Sequence, residues 1–100
     1  MKVVAICGSM RFFETMFAEQ VRLAKEGVIA LLPVIESTNN EPNLTASEKE
    51  LYSQIHFQKI DMSDEILVIN VNNYIGYSTS EEIKYAEKIG KPIHYMEPRN

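Results

Sequence analysis

Apolar residues gather in four short runs along the chain, at residues 3–7, 28–35, 66–71 and 93–96. Each run is nearly continuous rather than alternating, and β-branched side chains are frequent in them. Runs of this kind predict strands covered on both faces by helices. Between them the pattern shifts to a helical period. A first helix is predicted from about residue 11 to 26, with Phe13, Met16, Phe17, Gln20, Val21 and Ala24 on one face and Gly27 placed to end it. A second is predicted from about residue 45 to 62, opening on Thr45-Ala46-Ser47-Glu48, the spacing of a capping box. A third runs from about residue 79 to 89, with Gly90 at its end and Pro92 beyond. The alternation predicts one α/β domain over residues 1–100. Its expected form is a small doubly wound, Rossmann- or flavodoxin-like parallel sheet of about four strands in the order 2-1-3-4, with helices on both faces.

Two segments depart from this scheme. Residues 36–43 are polar, contain Pro42, and read as a loop after the second strand, on the side where such folds bind ligands. The second helix carries two apolar stripes, Leu51, Ile55 and Met62 on one side and Ser53, Phe57 and Ile60 roughly opposite. Such a helix is either wedged deep in the fold or in contact with a second copy of the chain.

Composition narrows the partners. With 45% hydrophobic residues the chain is expected to fold rather than stay disordered. A net charge of -4 gives no electrostatic case for duplex nucleic acid or an anionic membrane. The single cysteine, Cys7, excludes an internal disulfide framework and fits a reducing, cytoplasmic setting. No apolar run approaches the roughly 20 residues that span a bilayer. The N-terminal apolar run is too brief for a signal sequence and meets a glycine turn directly.

In an open parallel sheet, ligands collect at the carboxyl ends of the strands where the winding reverses. With order 2-1-3-4 that crevice lies between strands one and three. Gly8, Ser9 and Arg11 follow strand one; Asn70 and Asn72 follow strand three; Tyr77, Ser78 and Ser80 lead into the third helix. Free amides beside Gly8 and Ser9 suit a phosphate or sugar oxygen, and Arg11 adds charge. The alternative for Gly8 is a plain turn. Neither GxGxxG nor a P-loop is present, which leaves Glu36 a weak analogue of a ribose-binding acid. Tyr74 and Tyr77 suit either ligand stacking or packing. Cys7 reads as core. His56 and His94 stand apart, and no cluster has metal-ligand spacing, so neither metal nor cofactor is expected. Asp61, Asp64 and Glu65 read most simply as a solvated helix end.

The adjacent glutamates Glu81 and Glu82 separate by helix phase. At about 100° per residue, Ile83, Ala86, Ile89 and Gly90 define the buried face, and Glu82 lies about 45° from its centre. Glu81 lies well away, beside Lys84 and Lys88. Glu82 is then either a capping acid for Thr79 or a functional carboxylate; Glu81 can serve Ser78 as the cap instead.

Three segments in this order, "CGSMRF", "KIDMSDEILVINV" and "GYSTSEEIKYAEKIGKPI", resemble the nucleoside 2-deoxyribosyltransferase-like superfamily, which includes the 2′-deoxynucleoside 5′-phosphate N-hydrolases. The resemblance covers most of the chain apart from residues 36–43. It implies that Glu82, in Glu82-Ile83-Lys84-Tyr85-Ala86, is a nucleophile toward the anomeric carbon of a 2′-deoxyribose. It implies that Gly8 and Ser9 bind substrate through the backbone, with Arg11 where hydrolase-like members carry an arginine. The implied ligand is a small nucleoside or its monophosphate, and the implied assembly is a homodimer. The chain departs from the pattern in the helix before strand three. Where many members carry an aspartate it has Phe57, with His56 beside it and Asp61 one turn later; Asp61 is the carboxylate that could serve with Glu82. Asn72 and Asn73 stand where transferases tend to have aspartates. A non-catalytic nucleotide-binding module and a phosphosugar-processing protein remain as rival readings.

Overall fold

The structure, a computed structural model, describes residues 1–36 and 44–99. Strand β1 (Val3–Gly8) is central, β2 (Ile29–Leu31) and β3 (Glu65–Ile69) flank it, and β4 (Ile93–Tyr95) lies outside β3. The order is β2-β1-β3-β4, and every pairing is parallel. Both the predicted order and the doubly wound topology hold. Helices α1 (Phe13–Lys25), α2 (Ala46–Met62) and α3 (Tyr77–Lys88) connect successive strands.

Alternation along β1 divides the core. Val4 and Ile6 face α1, where they pack with Met16, Leu23 and Ile69. Ala5 and Cys7 face α2 and α3, joining Ile60, Ile66, Val68, Ile83 and Ala86. Cys7 is thus fixed by strand parity on the two-helix side. Burying an Ile or Val contributes roughly 1.5–3 kcal/mol, so these two clusters anchor the sheet from both faces.

Local signals explain most helix ends. Thr45 caps α2 as expected: its hydroxyl accepts from the Glu48 amide at 3.1 Å, and the Glu48 carboxylate accepts from the Thr45 amide at 2.9 Å. Gly27 and Gly90 follow α1 and α3 with φ of 77° and 76°, the left-handed conformation that glycine takes most cheaply.

Three expectations need correction, and one is not tested. Strand two ends at Leu31 rather than residue 35; Pro33 has no amide to offer a ladder. Residues 37–43 of the predicted loop lie outside the described residues. A 3₁₀ turn (Met10–Phe12) precedes α1, whose buried positions are Met16 and Leu23, while Phe17 and Val21 of the predicted face are exposed. Helix α2 is not wedged deep: Leu51 and Met62 are exposed, and His56 and Ile60 are the buried positions.

Candidate functional site

Helix α3 starts two residues earlier than predicted. Gly76 is its N-cap, and no side chain caps it. Neither Ser78 nor Thr79 occupies the cap position, so neither glutamate completes a capping box, and the capping reading of Glu82 is removed. Thr79, Ile83 and Ala86 form the buried face. Glu82 lies on its flank with a side chain 12% exposed. Glu81 is 40% exposed and pairs with Lys84 at 3.5 Å. The separation of the two by helix phase holds.

The side chains that meet Glu82 come from the other two elements on this face. His56 projects from α2, with Nε2 4.0 Å from Glu82 Oε1. Cys7 projects from the carboxyl end of β1, with Sγ 3.5 Å from the same His56 Nε2. The three donor atoms lie within 4.8 Å of one another, and all three groups are buried. They are the one such three-donor group among the described residues. They lie 49 and 26 positions apart along the chain, so no spacing motif announces them, and reading Cys7 and His56 as isolated residues missed the cluster.

Burial sets the electrostatics. It pushes the Glu82 carboxyl up to about 7, while the neighbouring Cys7 thiol, a donor to the ionised form, acts in the opposite sense. Burial, then the nearby Lys59 ammonium, pushes His56 down to about 4. The Ile6 carbonyl acts the other way on the ring, yet His56 Nδ1 has no well-formed hydrogen bond among the described residues. Burial and the Glu82 carboxylate push the Cys7 thiol up. Near pH 7 the cluster therefore holds a thiol, a neutral imidazole and a carboxyl group about half ionised. A cysteine nucleophile does not fit: the thiol is fully buried and hard to ionise, and His56 is too weak a base to activate it.

The residues predicted to bind a ligand take different places at this end of the sheet. Gly8 pairs with Ile69, and a Cβ there would stand 3.0 Å from Ile69 Cβ, so a larger residue would crowd the strand pairing. Ser9 caps the 3₁₀ turn, its hydroxyl accepting from the Arg11 amide at 3.4 Å. The Arg11 guanidinium lies 4.0 Å over the Tyr74 ring, which meets Phe12 edge-on. Tyr77 and Ser78 are exposed on the first turn of α3, and Ser80 is half-buried there. Asn70 is fully buried. It donates to Asn73 Oδ1 and the Glu97 carbonyl and accepts from the Glu97 amide at 2.8 Å, so its side chain ties down the C-terminal segment. Asn72 has a φ of 53°, and its amide donates to the Glu97 carboxylate.

The remaining acids lie elsewhere. Asp61 is exposed near the end of α2 and accepts from the Tyr85 hydroxyl at 2.6 Å; it is not part of the group around Glu82. Glu36 accepts from the Tyr52 hydroxyl at 2.7 Å. Glu65 is not a solvated helix-end residue. It opens β3, is buried, and meets both Lys2 and His94, so His94 does not stand apart either.

These features define a small doubly wound α/β domain with a buried cysteine, histidine and glutamate under the carboxyl end of its central strand. The chain matches no protein-family model and no curated protein sequence. Its fold is shared with solved structures. One is a 2-deoxyribosyltransferase from the psychrotolerant bacterium Bacillus psychrosaccharolyticus, with a TM-score of 0.73 at 13% identity over 98% of this chain and 77% of that one. Another is a conserved protein from Enterococcus faecalis, with a TM-score of 0.65 at 16% identity over 95% of this chain and 62% of that one. At these identities the likeness is one of fold.

Proposed function

We propose that this chain cleaves or transfers at the N-glycosidic bond of a 2′-deoxynucleoside or its 5′-monophosphate, with Glu82 as nucleophile. One observation carries the reading: Glu82 is a buried carboxylate with no cationic partner among the described residues, held under the carboxyl end of the central strand in a fold that a 2-deoxyribosyltransferase also has. A buried carboxylate loses its uncompensated charge when it bonds to carbon. Its oxygen attacks C1′ as the C1′–N bond breaks, and that electron pair leaves with the base, which takes up a proton. Water, or a second base in a transferase, then displaces the ester at C1′ and returns the free carboxylate. Gly8 and Ser9 present backbone to the sugar or phosphate, and Arg11, laid on Tyr74, supplies a positive charge for a monophosphate. The exposed Leu51 and Met62 on α2 support a homodimer.

The test is release of free base from deoxynucleosides and their monophosphates, followed by chromatography. Release by the wild type and its loss, by about a thousandfold or more, in a folded Glu82→Ala variant is the expected result. Full activity in that variant would sink the assignment. The exposed position of Asp61 favours a second reading, a nucleotide-binding module without turnover. Calorimetric binding of a nucleotide with no base released is the outcome that selects it.

A further inference from the structure

Cys7, His56 and Glu82 reach one point from three elements, β1, α2 and α3. Their arrangement is unsuited to proton relay. A relaying imidazole uses one nitrogen for each neighbour. Here the single nitrogen Nε2 faces both the thiol, at 3.5 Å, and the carboxylate, at 4.0 Å, while Nδ1 is unpartnered among the described residues. Donors converging on one point are instead the layout of a metal-ligand set. Zinc holds thiolate sulfur at about 2.3 Å and imidazole nitrogen at about 2.0 Å, which at a tetrahedral angle sets the two roughly 3.5 Å apart. Cys7 and His56 already stand at that separation. The carboxylate oxygen, 4.0 Å from Nε2, needs to close on that nitrogen by only about half an ångström to match a shared tetrahedral ion, and all three donor atoms already lie within 4.8 Å of one another. Mixed sulfur, nitrogen and oxygen donors suit zinc, and they do not suit magnesium or calcium, which take oxygen ligands.

We propose that Cys7, His56 and Glu82 form a binding site for one zinc-class divalent cation, with water as the fourth ligand. Binding stands independently of the proposed activity. One consequence rests on that activity: a bound cation occupies the Glu82 carboxylate and stops it acting as nucleophile, so the cation inhibits.

Cobalt(II) is the probe. The chain has one cysteine, so thiolate-to-cobalt charge-transfer absorption reports Cys7 ligation in the wild-type protein without any variant. In a reductant that does not bind metal, the absorption is expected to saturate at one Co2+ per chain and to be discharged by one equivalent of Zn2+. Folded His56→Ala and Glu82→Gln variants are expected to bind at least about tenfold more weakly. Absence of the absorption in folded, reduced wild type saturated with Co2+ overturns the proposal. So does an absorption of undiminished affinity in the double variant. Base release plays no part in this readout, so failure of the enzymatic reading leaves the metal result standing. If base is released, inhibition by equimolar Zn2+ and recovery with a chelator support the linked consequence; undiminished release at saturating Zn2+ overturns that consequence alone.

Discussion

Two glutamates are held against the sheet at its opposite ends, and their surroundings differ in kind. Glu65 opens β3 at the amino end, 9% exposed, with the Lys2 ammonium and His94 against its carboxylate. Glu82 lies under the carboxyl end of β1, 12% exposed, beside a thiol and an imidazole too acidic to carry charge near neutrality. Both carboxylates lose most of their water. Among the described residues, only Glu65 gains a cation in exchange, the Lys2 ammonium. The difference shows that burial alone does not make a carboxylate reactive; burial without compensation favours it, because it leaves a charge whose removal by protonation, bonding or ligation is favourable.

Replacing each glutamate with glutamine is expected to break the symmetry most plainly. The Glu82 carboxyl is raised from 4.5 to about 7, a shift worth roughly 3 kcal/mol. The folded state holds this proton more tightly than the unfolded chain, so the contribution is fully present below pH 4.5 and is lost as pH rises through 7. Glu82→Gln should therefore be more stable than wild type at pH 8, by up to roughly 3 kcal/mol, and no more stable at pH 4.5. Glu65→Gln should change stability in the other direction at pH 8, by about 1 kcal/mol, since Lys2 and His94 are more than half exposed. Urea melts of both variants at the two pH values measure this. Glu82→Gln less stable than wild type at pH 8 would break the comparison.

The wild-type profile carries a second signature. His56 is lowered from 6.5 to about 4, so its contribution is lost as pH falls between those values. The windows of Glu82 and His56 overlap with opposite slopes, and wild-type stability should be nearly flat from pH 4.5 to 6.5. Glu82→Gln removes one slope and exposes the other, so its stability should climb over that range. Activity should follow the carboxylate alone: base release rising about tenfold per pH unit below 7 and levelling above, for a substrate whose base does not titrate there. A rate independent of pH between 5 and 7 would separate Glu82 from the bond-breaking step.

Local signals carried much of this into the sequence. The apolar runs marked the four strands, their alternation with helices the parallel doubly wound order, Thr45 and Glu48 the start of α2, and helix phase the distinction between Glu81 and Glu82. What the sequence hid depends on tertiary placement. Cys7 and His56 meet only because strand parity aims Cys7 at α2 and the rotation of α2 aims His56 back; neither is local. The start of α3 was obscured because Gly76 caps it with no side chain while Ser78 and Thr79 imitate caps downstream. The face of α1 was misjudged because Phe17 and Val21 are apolar yet exposed.

The smallest expected effect concerns Asp61, the acid that resemblance offered as a partner for Glu82. Helices α2 and α3 run side by side in the same direction, as connections between parallel strands must. His56 stands level with Glu82, and Asp61, five residues on, stands level with Tyr85, whose hydroxyl it accepts. Lys91 also reaches the Asp61 carbonyl at 3.2 Å, so this end of α2 is fastened at the amino side of the sheet, away from Gly8. Asp61→Asn should then leave base release within about twofold of wild type, as for an ordinary surface substitution. A group that protonates the leaving base would instead be worth about a hundredfold or more. A loss of that size with an unchanged melt would return Asp61 to the reaction. With activity retained, Asp61 is not the donor of the leaving base's proton, and water or the substrate becomes the source to test, since His56 is neutral and the Cys7 thiol is hard to ionise near pH 7.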